Sequence, residues 1–316
     1  MHLAFGPVPS RRLGNSLGIN NIPPKHCTYS CVYCQVGRTT RLLTNRKIFY
    51  SPSEIMEAAQ TRLHEIPDSD SIDYITLVPD GEPTLDIQLG DTIQLLQSLG
   101  HRIAILTNGS LLWRKDIRFD LQDVDWISVK IDTVRAETWH RINRPNRILQ
   151  FNEVLQGIRE FRRDFNGIFT TETMLVRGEN DTVTELESTG EMLAGLKPDI
   201  AYLAVPTRPP AESWVQIPDA EMLNRGYQSF LERLNRVELL TGRGSEPFVS
   251  SGDITRDLLS ITSVHPLTES AVKTLLRNSN GEWADVQQLL DAGKLRKVQY
   301  HNQEFYLRNF EREYSE

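Results

Sequence analysis

Three cysteines are all this 316-residue chain has, and Cys27, Cys31 and Cys34 stand within eight residues of one another. So few thiols, placed so close together, exclude a disulfide framework and fit a reduced compartment. Missing as well is any run near the ~18 apolar residues that a bilayer-spanning helix needs, and the opening MHLAFGPVPSRR lacks the apolar core of a secretory signal. A cytoplasmic location with no membrane partner is therefore expected. No internal repeat or low-complexity segment stands out, which excludes a solenoid. Acidic residues are absent from residues 1–50, which hold seven Lys and Arg, and the remainder carries −14 within a net charge of −7. That basic collar around the cysteines suits an anionic cluster, a cofactor carboxylate or a phosphate-bearing substrate, and equally a solvated basic loop.

What is present is an ordinary globular composition, 39% apolar and 24% charged, enough for one large domain and a small one. From residue 17 to about 240, short β-rich runs alternate with amphipathic stretches, the pattern of βα units around a parallel sheet. Strands are expected at 17–22, 72–78, 102–107, 126–132, 169–176, 200–205 and 237–240. The helices between them include 53–65, 91–99, 151–165, 183–196 and 220–234. Ser51-Pro52-Ser53-Glu54 gives the first helix an N-cap, an early proline and an acidic first turn. The expected fold class is α/β, a partial (βα)6-type parallel barrel over residues 1–241 whose site lies at the C-terminal ends of the strands.

Glycine and proline mark 241–247 as a breaker-rich stretch, so 242–251 reads as a linker. Residues 252–316 then show three helices (253–261, 268–278, 282–292) and two strands (295–300, 304–307) turning at 301–303. That order suggests a small winged-helix-like domain. Its third helix carries Glu282, Asp285 and Asp291, which suits a docking module or a lid better than a nucleic-acid reader.

The spacing Cys27-x3-Cys31-x2-Cys34, directly after a strand, puts three thiolate donors in one tight loop. Three thiolates leave one iron of a cubane cluster open, whereas a structural zinc site wants four closed ligands, here completed only by His26 or a remote histidine. One βα unit later comes Pro79-Asp80-Gly81-Glu82-Pro83-Thr84. Gly81 permits close backbone approach, and Glu82 can accept charge-assisted hydrogen bonds from an ammonium. Thr107-Asn108-Gly109 ends the third strand at the same mouth. Along the fourth strand, alternation sets Ser128, Lys130 and Asp132 on the face opposite Ile127, Val129 and Ile131. A lysine and a carboxylate inside a barrel are costly to bury unpaired, so Lys130 and Asp132 are the catalytic candidates, expected to contact each other, cofactor or substrate. Structural ion pairing is the competing account. Glu172 and Arg177 are weaker candidates on the fifth strand.

The cysteine loop resembles the CxxxCxxC motif of the radical S-adenosylmethionine (SAM) superfamily. The resemblance implies a [4Fe–4S] cluster on Cys27, Cys31 and Cys34 whose open iron chelates the amino and carboxylate groups of S-adenosyl-L-methionine. It further implies reductive cleavage to a 5′-deoxyadenosyl radical that abstracts hydrogen from substrate, fed by a donor such as flavodoxin or ferredoxin. Tyr33 falls at the family's aromatic position near the adenine, and Gly81 and Glu82 match its GGE motif, with Asp80 in place of the first glycine. Thr107, Asn108 and Ser128 join the cofactor-binding set. The segments 5–14, 16–20, 31–39, 80–85, 128–132 and 141–145 are similar to the subgroup of wybutosine-synthesis-related iron–sulfur oxidoreductases. The lack of a fourth cysteine excludes a second cysteine-held cluster.

The reading is thus a radical SAM oxidoreductase with one cluster, acting on a small molecule, a peptide or protein, or RNA. Its alternatives are a wybutosine-synthesis-like tRNA-modifying enzyme and a non-catalytic iron–sulfur redox sensor.

Overall fold

The computed structural model describes residues 3–66, 72–241, 253–264, 266–300 and 303–309. In chain order these form β1 (Ala4–Ser10), β2 (Gly14–Ile19), β3 (His26–Cys27), β4 (Arg41–Leu42), α1 (Pro52–Glu65), β5 (Tyr74–Leu77), α2 (Leu89–Gln97) and β6 (Arg102–Thr107). There follow α3 (Lys115–Asp120), β7 (Trp126–Lys130), α4 (Ala136–Ile142), α5 (Phe151–Asp164), β8 (Ile168–Met174), α6 (Val183–Leu196), β9 (Ile200–Ala204), α7 (Ala220–Leu231) and β10 (Val237–Leu240). The last elements are α8 (Ile254–Val264), β11 (Leu267–Thr268), α9 (Glu269–Asn278), α10 (Trp283–Asp291), β12 (Leu295–Tyr300) and β13 (Gln303–Arg308).

Eight strands form one sheet in the order β1-β2-β5-β6-β7-β8-β9-β10, in which β1 lies antiparallel on β2 and every other neighbour is parallel. The chain is thus an α/β protein with a mostly parallel sheet, in the manner of a partial barrel. All seven expected strands are present within a few residues. The added strand β1 was not expected, because Pro7 and Pro9 break the usual strand pattern; as the sheet's edge, it needs fewer backbone donors. No helix among the described residues is long and apolar enough to cross a membrane.

Period-two alternation decides which residues meet the helices. Leu17, Ile19, Ile75, Leu77, Ile103, Ile105, Ile127 and Val129 are fully buried in the core between sheet and helices. Each such side chain contributes roughly 1.5–3 kcal/mol of transfer free energy. Helix α1 begins where expected: the Ser51 hydroxyl accepts from the Glu54 N–H, and the Ser51 N–H donates back to the Glu54 carboxylate. Helix α5 presents Val154, Leu155, Ile158 and Phe161 at helical spacing, and Gly157 lets the 112–113 turn sit against it, for a β-carbon there would lie 2.2 Å from the Trp113 nitrogen.

The opposite face of the sheet lines the barrel interior. Leu13, Tyr74, Ala104, Trp126 and Tyr202 pack together at the strands' N-terminal ends. Ser128, Lys130 and Glu172 stand further along the strands and face a cavity. Apolar floor and polar upper wall both follow from the same alternation.

The C-terminal elements build a separate small core of Leu258, Ile261, Val272, Leu275, Val286, Leu289 and Tyr306, against which Val8 of β1 also packs. Observed order and bounds agree with the expected helices and strands, with the short β11 added on β13. The unit is tied to the barrel by the buried pair Arg62–Asp257 at 3.2 Å, by Arg256–Glu65 at 2.6 Å, and by the Tyr300 hydroxyl donating to the Pro206 carbonyl at 2.9 Å. The expected linker 242–251 lies outside the described residues, as do residues 301 and 302 of the expected turn.

Candidate active site at the cysteine loop

The loop after β2 carries the three cysteines and is clamped on three sides. Its ends join through the two-residue ladder of β3 on β4. The turn after β5 grips it: the Lys25 N–H donates to the Asp80 carbonyl at 2.6 Å, and the Glu82 N–H donates to the His26 carbonyl at 3.0 Å. The end of α4 holds its far side, with Ser30 N–H to Asn143 carbonyl at 3.0 Å and Val32 N–H to Ile142 carbonyl at 2.8 Å. Gly81 earns its place here for a reason the sequence did not give. A β-carbon at Gly81 would fall 1.9 Å from the His26 carbonyl oxygen, so glycine serves the packing of the cysteine loop itself.

Cys27, Cys31, Cys34, Tyr33, Gly81, Glu82, Thr107, Asn108, Ser128 and Lys130 all line one cavity of about 350 Å³. Asp132, buried immediately behind it, is hydrogen-bonded to Tyr33 and Met174 of the cavity lining and to Asn143. Burial is the main influence raising all three thiols, taking Cys31 to about 12. A different carboxylate adds to each: Glu82 at Cys27, Asp132 at Cys31 and Asp80 at Cys34. Such a wall holds protons on its thiols unless a strongly cationic centre replaces them.

The donor set fits an iron–sulfur cluster. Amide N–H groups of Asn108 and Asn143 point at Cys27 Sγ (3.6 Å) and Cys31 Sγ (3.5 Å), the kind of donors that stabilise cluster sulfur charge. Among the described residues no group of three His, Cys, Asp or Glu side chains is placed to hold a single metal ion.

Glu82 is buried and held by four donors: the Thr84 hydroxyl and N–H at 2.6 and 3.2 Å, the Thr107 hydroxyl at 2.6 Å, and the Asn108 N–H at 2.8 Å. Thr107 and Asn108 therefore act through Glu82 and the cysteine loop rather than alone, Asn108 also donating to the Thr28 hydroxyl at 2.8 Å. Burial raises the Glu82 carboxyl and these donors partly offset it.

The expected pairing of Lys130 with Asp132 is replaced by another. Lys130 Nζ bonds Glu172 Oε1 at 2.7 Å because the parallel register of β7 and β8 sets the two residues side by side. Asp132, past the strand end, instead accepts from Tyr33 Oη, from Asn143 Nδ2 at 2.7 Å, and from the Met174 N–H at 2.8 Å. The Tyr33 ring lies under Lys130 Nζ, 4.8 Å from its centroid. Burial pulls Lys130 down, but Glu172 and Asp132 outweigh it and raise it, so Lys130 is an ammonium here and not a free amine. Arg177 lies outside the cavity, at the surface beside Asp219.

Glu172 accepts from both Lys130 and Arg12. Burial pushes its carboxyl up, yet the two cations together hold it at about 2, below its ordinary 4.5. A depressed folded-state value means that this stabilisation is complete above pH 4.5 and fades as pH falls toward 2. Glu172→Gln is therefore expected to destabilise the protein by roughly 2–3 kcal/mol at pH 7. The gap from wild type should shrink below pH 4.5, as read by denaturant midpoints at pH 7 and pH 3.

Arg12, Gln35, Asn143 and Arg208 belong to the site as well and were not singled out from the sequence. Arg12 and Asn143 lie in segments 5–14 and 141–145, whose subgroup likeness was the available signal; for Arg208 there was none.

Comparison with known proteins agrees with the geometry. The model of the radical SAM superfamily matches residues 21–189. The UPF0026 protein MJ1312 of Methanocaldococcus jannaschii is 42% identical over 311 residues, covering 98% of this chain and 97% of its own length. A UPF0026 protein of Synechocystis sp. is 38% identical over 208 residues, covering 65% of this chain and 76% of its own. Among solved structures, a radical SAM methyltransferase from Sphaerobacter thermophilus is similar with a TM-score of 0.55 at 20% identity, covering 72% of this chain and 67% of that one; at that identity the likeness is one of fold. With three cysteines lining one cavity at the mouth of a mostly parallel sheet, and a family model spanning more than half its length, this chain belongs to the radical SAM superfamily.

Proposed function

We propose that the protein is a radical SAM oxidoreductase that holds one [4Fe–4S] cluster on Cys27, Cys31 and Cys34 and binds S-adenosyl-L-methionine beside it. The observation that carries this reading is that three half-buried thiols line one cavity together with Glu82, with the amide N–H groups of Asn108 and Asn143 directed at two of the sulfurs. When bound, cluster and cofactor supply a 5′-deoxyadenosyl radical for hydrogen abstraction, with an electron taken from a reduced flavodoxin- or ferredoxin-type donor.

The chain's own residues would do the following. Glu82, fixed by Thr84, Thr107 and Asn108, accepts hydrogen bonds from the cofactor ammonium. Tyr33 offers its ring to the adenine while Asp132 and Asn143 fix its hydroxyl. Ser128 offers a hydroxyl to the ribose, and Lys130, kept protonated by Glu172, places a positive charge at the cavity wall for a carboxylate.

A redox sensor has no need of Glu82 or of a polar barrel interior, and that favours the enzyme. Segments 5–14, 80–85 and 141–145 support a place beside the wybutosine-synthesis-related oxidoreductases. We also divide the chain into a core of 1–241 and a winged-helix-like domain of 252–316, supported by the separate apolar core of the C-terminal helices. Acidic residues on α10 favour docking or covering over nucleic-acid reading.

The test is anaerobic reconstitution with iron and sulfide, then dithionite and S-adenosylmethionine, with 5′-deoxyadenosine measured. Release is expected. Intact cluster absorbance without release would reject the enzyme reading.

A further inference from the structure

Four large aliphatic residues are exposed beside the cysteine loop: Ile48 and Ile148 at 69%, Ile87 at 51% and Leu42 at 39%. Single exposed aliphatics are ordinary, but these belong to segments tied to one another and to the loop by hydrogen bonds. The Ile87 N–H donates to the Lys47 carbonyl at 2.9 Å. Asn146 Nδ2 donates to the Leu42 carbonyl at 2.9 Å, and its Oδ1 accepts from the Ile148 N–H at 3.1 Å. On the inner side, Leu42 is the ladder partner of Cys27, the Leu43 N–H donates to the Cys27 carbonyl at 2.9 Å, and the Asn146 N–H donates to the Thr28 carbonyl at 2.9 Å. Leu42 thus lies one strand spacing, roughly 4.8 Å, from a cysteine of the triad.

The charge here is of one sign. Neither 31–50 nor 141–152 contains an Asp or a Glu. Arg46 is ion-paired with Asp116 and Asp120, and Arg38 and Arg144 with Glu212. Arg41, Lys47 and Arg147 are exposed, and no ion pair reaches them among the described residues. Because the whole chain carries −7, an acidic partner is repelled in general and attracted at this collar. The segments 41–48, 86–87 and 146–148 contain no aromatic residue on which a base could stack, and their mix of aliphatics and cations suits a protein better than a nucleic acid.

We propose that Arg41, Lys47 and Arg147, with the four aliphatics on the same segments, form the docking surface of an acidic one-electron carrier protein that reduces the cluster. The proposal rests on the cluster of the reading above and names the face its reductant uses. One electron leaves the reduced carrier and enters the cluster, so the carrier is oxidised by one electron and the cluster reduced by one. The cations steer the encounter, and the aliphatics supply contact area once it has formed.

The test is stopped-flow reduction of the full-length, cluster-reconstituted protein, followed by cluster absorbance. The reductants are reduced flavodoxin of net negative charge and, separately, photoreduced deazaflavin, a small neutral molecule that needs no docking surface. The second-order rate constant with flavodoxin is expected to fall as ionic strength rises. The triple variant Arg41→Glu, Lys47→Glu, Arg147→Glu should lower that constant about 10-fold or more at low salt, while deazaflavin reduces it at the wild-type rate and so reports an intact cluster. Ile48→Ser with Ile148→Ser should raise the flavodoxin concentration giving half-maximal rate and leave the salt dependence unchanged. Arg296→Glu, exposed on β12, should alter neither reductant's rate. Failure of flavodoxin to reduce the cluster, a rate insensitive to salt, a triple variant reduced at the wild-type rate, equal slowing with both reductants, or equal slowing by Arg296→Glu would each overturn the surface. Oligouridylate binding lost in the triple variant, with flavodoxin reduction unaffected, would assign the cations to nucleic acid and overturn it as well. Charge-dependent reduction in a protein that releases no 5′-deoxyadenosine would retain the surface and reject the enzyme; release after dithionite, with flavodoxin reduction indifferent to the triple variant, would do the reverse.

Discussion

Cys31→Ala is expected to reduce 5′-deoxyadenosine release to background and to bleach the iron–sulfur absorbance of the reconstituted protein. The loop that holds Cys31 stays anchored in the variant, because its clamps are backbone hydrogen bonds from Ser30 and Val32 to the end of α4 and none uses the thiol. Removing Sγ deletes one small half-buried group, so the cluster-free variant should match the cluster-free wild type to within about 1 kcal/mol. Loss of activity would then report loss of a ligand and not of the fold. Release from Cys31→Ala at the wild-type level would remove the triad from the mechanism.

Glu82→Gln is the second large effect. The carboxylate accepts from Thr84, Thr107 and Asn108, and an amide in its place must turn an N–H₂ toward one of those donors. It also lacks the charge that attracts an ammonium. Loss of a charge-assisted hydrogen bond costs roughly 1.5–3 kcal/mol, so affinity for S-adenosylmethionine should fall roughly 10- to 100-fold while cluster content is retained. Only the ionised carboxylate serves the ammonium, and burial raises the Glu82 value above its ordinary 4.5. Wild-type affinity should therefore begin to fall at a higher pH than an exposed glutamate would impose, and Glu82→Gln should flatten that profile. Equilibrium dialysis of the cofactor across pH measures both effects.

Local chemistry made much of this legible in advance. β-Branched runs marked β5, β6 and β7, and Ser51 with Glu54 marked the start of α1. Alternation on β7 correctly turned Ser128 and Lys130 away from the helices. What stayed hidden depended on register and on contacts distant in sequence. Lys130 and Glu172 are 42 residues apart and meet because two parallel strands pair in one particular register, which no local pattern encodes. Asp132 lies just beyond the last hydrogen-bonded residue of β7, where alternation no longer governs direction, and Tyr33 and Asn143 take it up. Gly81 was read as room for a ligand, whereas its neighbour is the His26 carbonyl, brought there by folding of a loop that precedes it by some fifty residues. Arg12 enters the cavity from the turn beside a proline-containing edge strand, and that strand was itself unreadable.

The measurement closest to the central claim is electron paramagnetic resonance of the dithionite-reduced, reconstituted protein, recorded before and after addition of S-adenosylmethionine. A cubane held by Cys27, Cys31 and Cys34 alone has one iron available to the amino acid end of the cofactor, so the spectrum is expected to shift on addition. A spectrum unchanged by saturating cofactor, from a centre whose metals are all ligated by the polypeptide, would contradict the account.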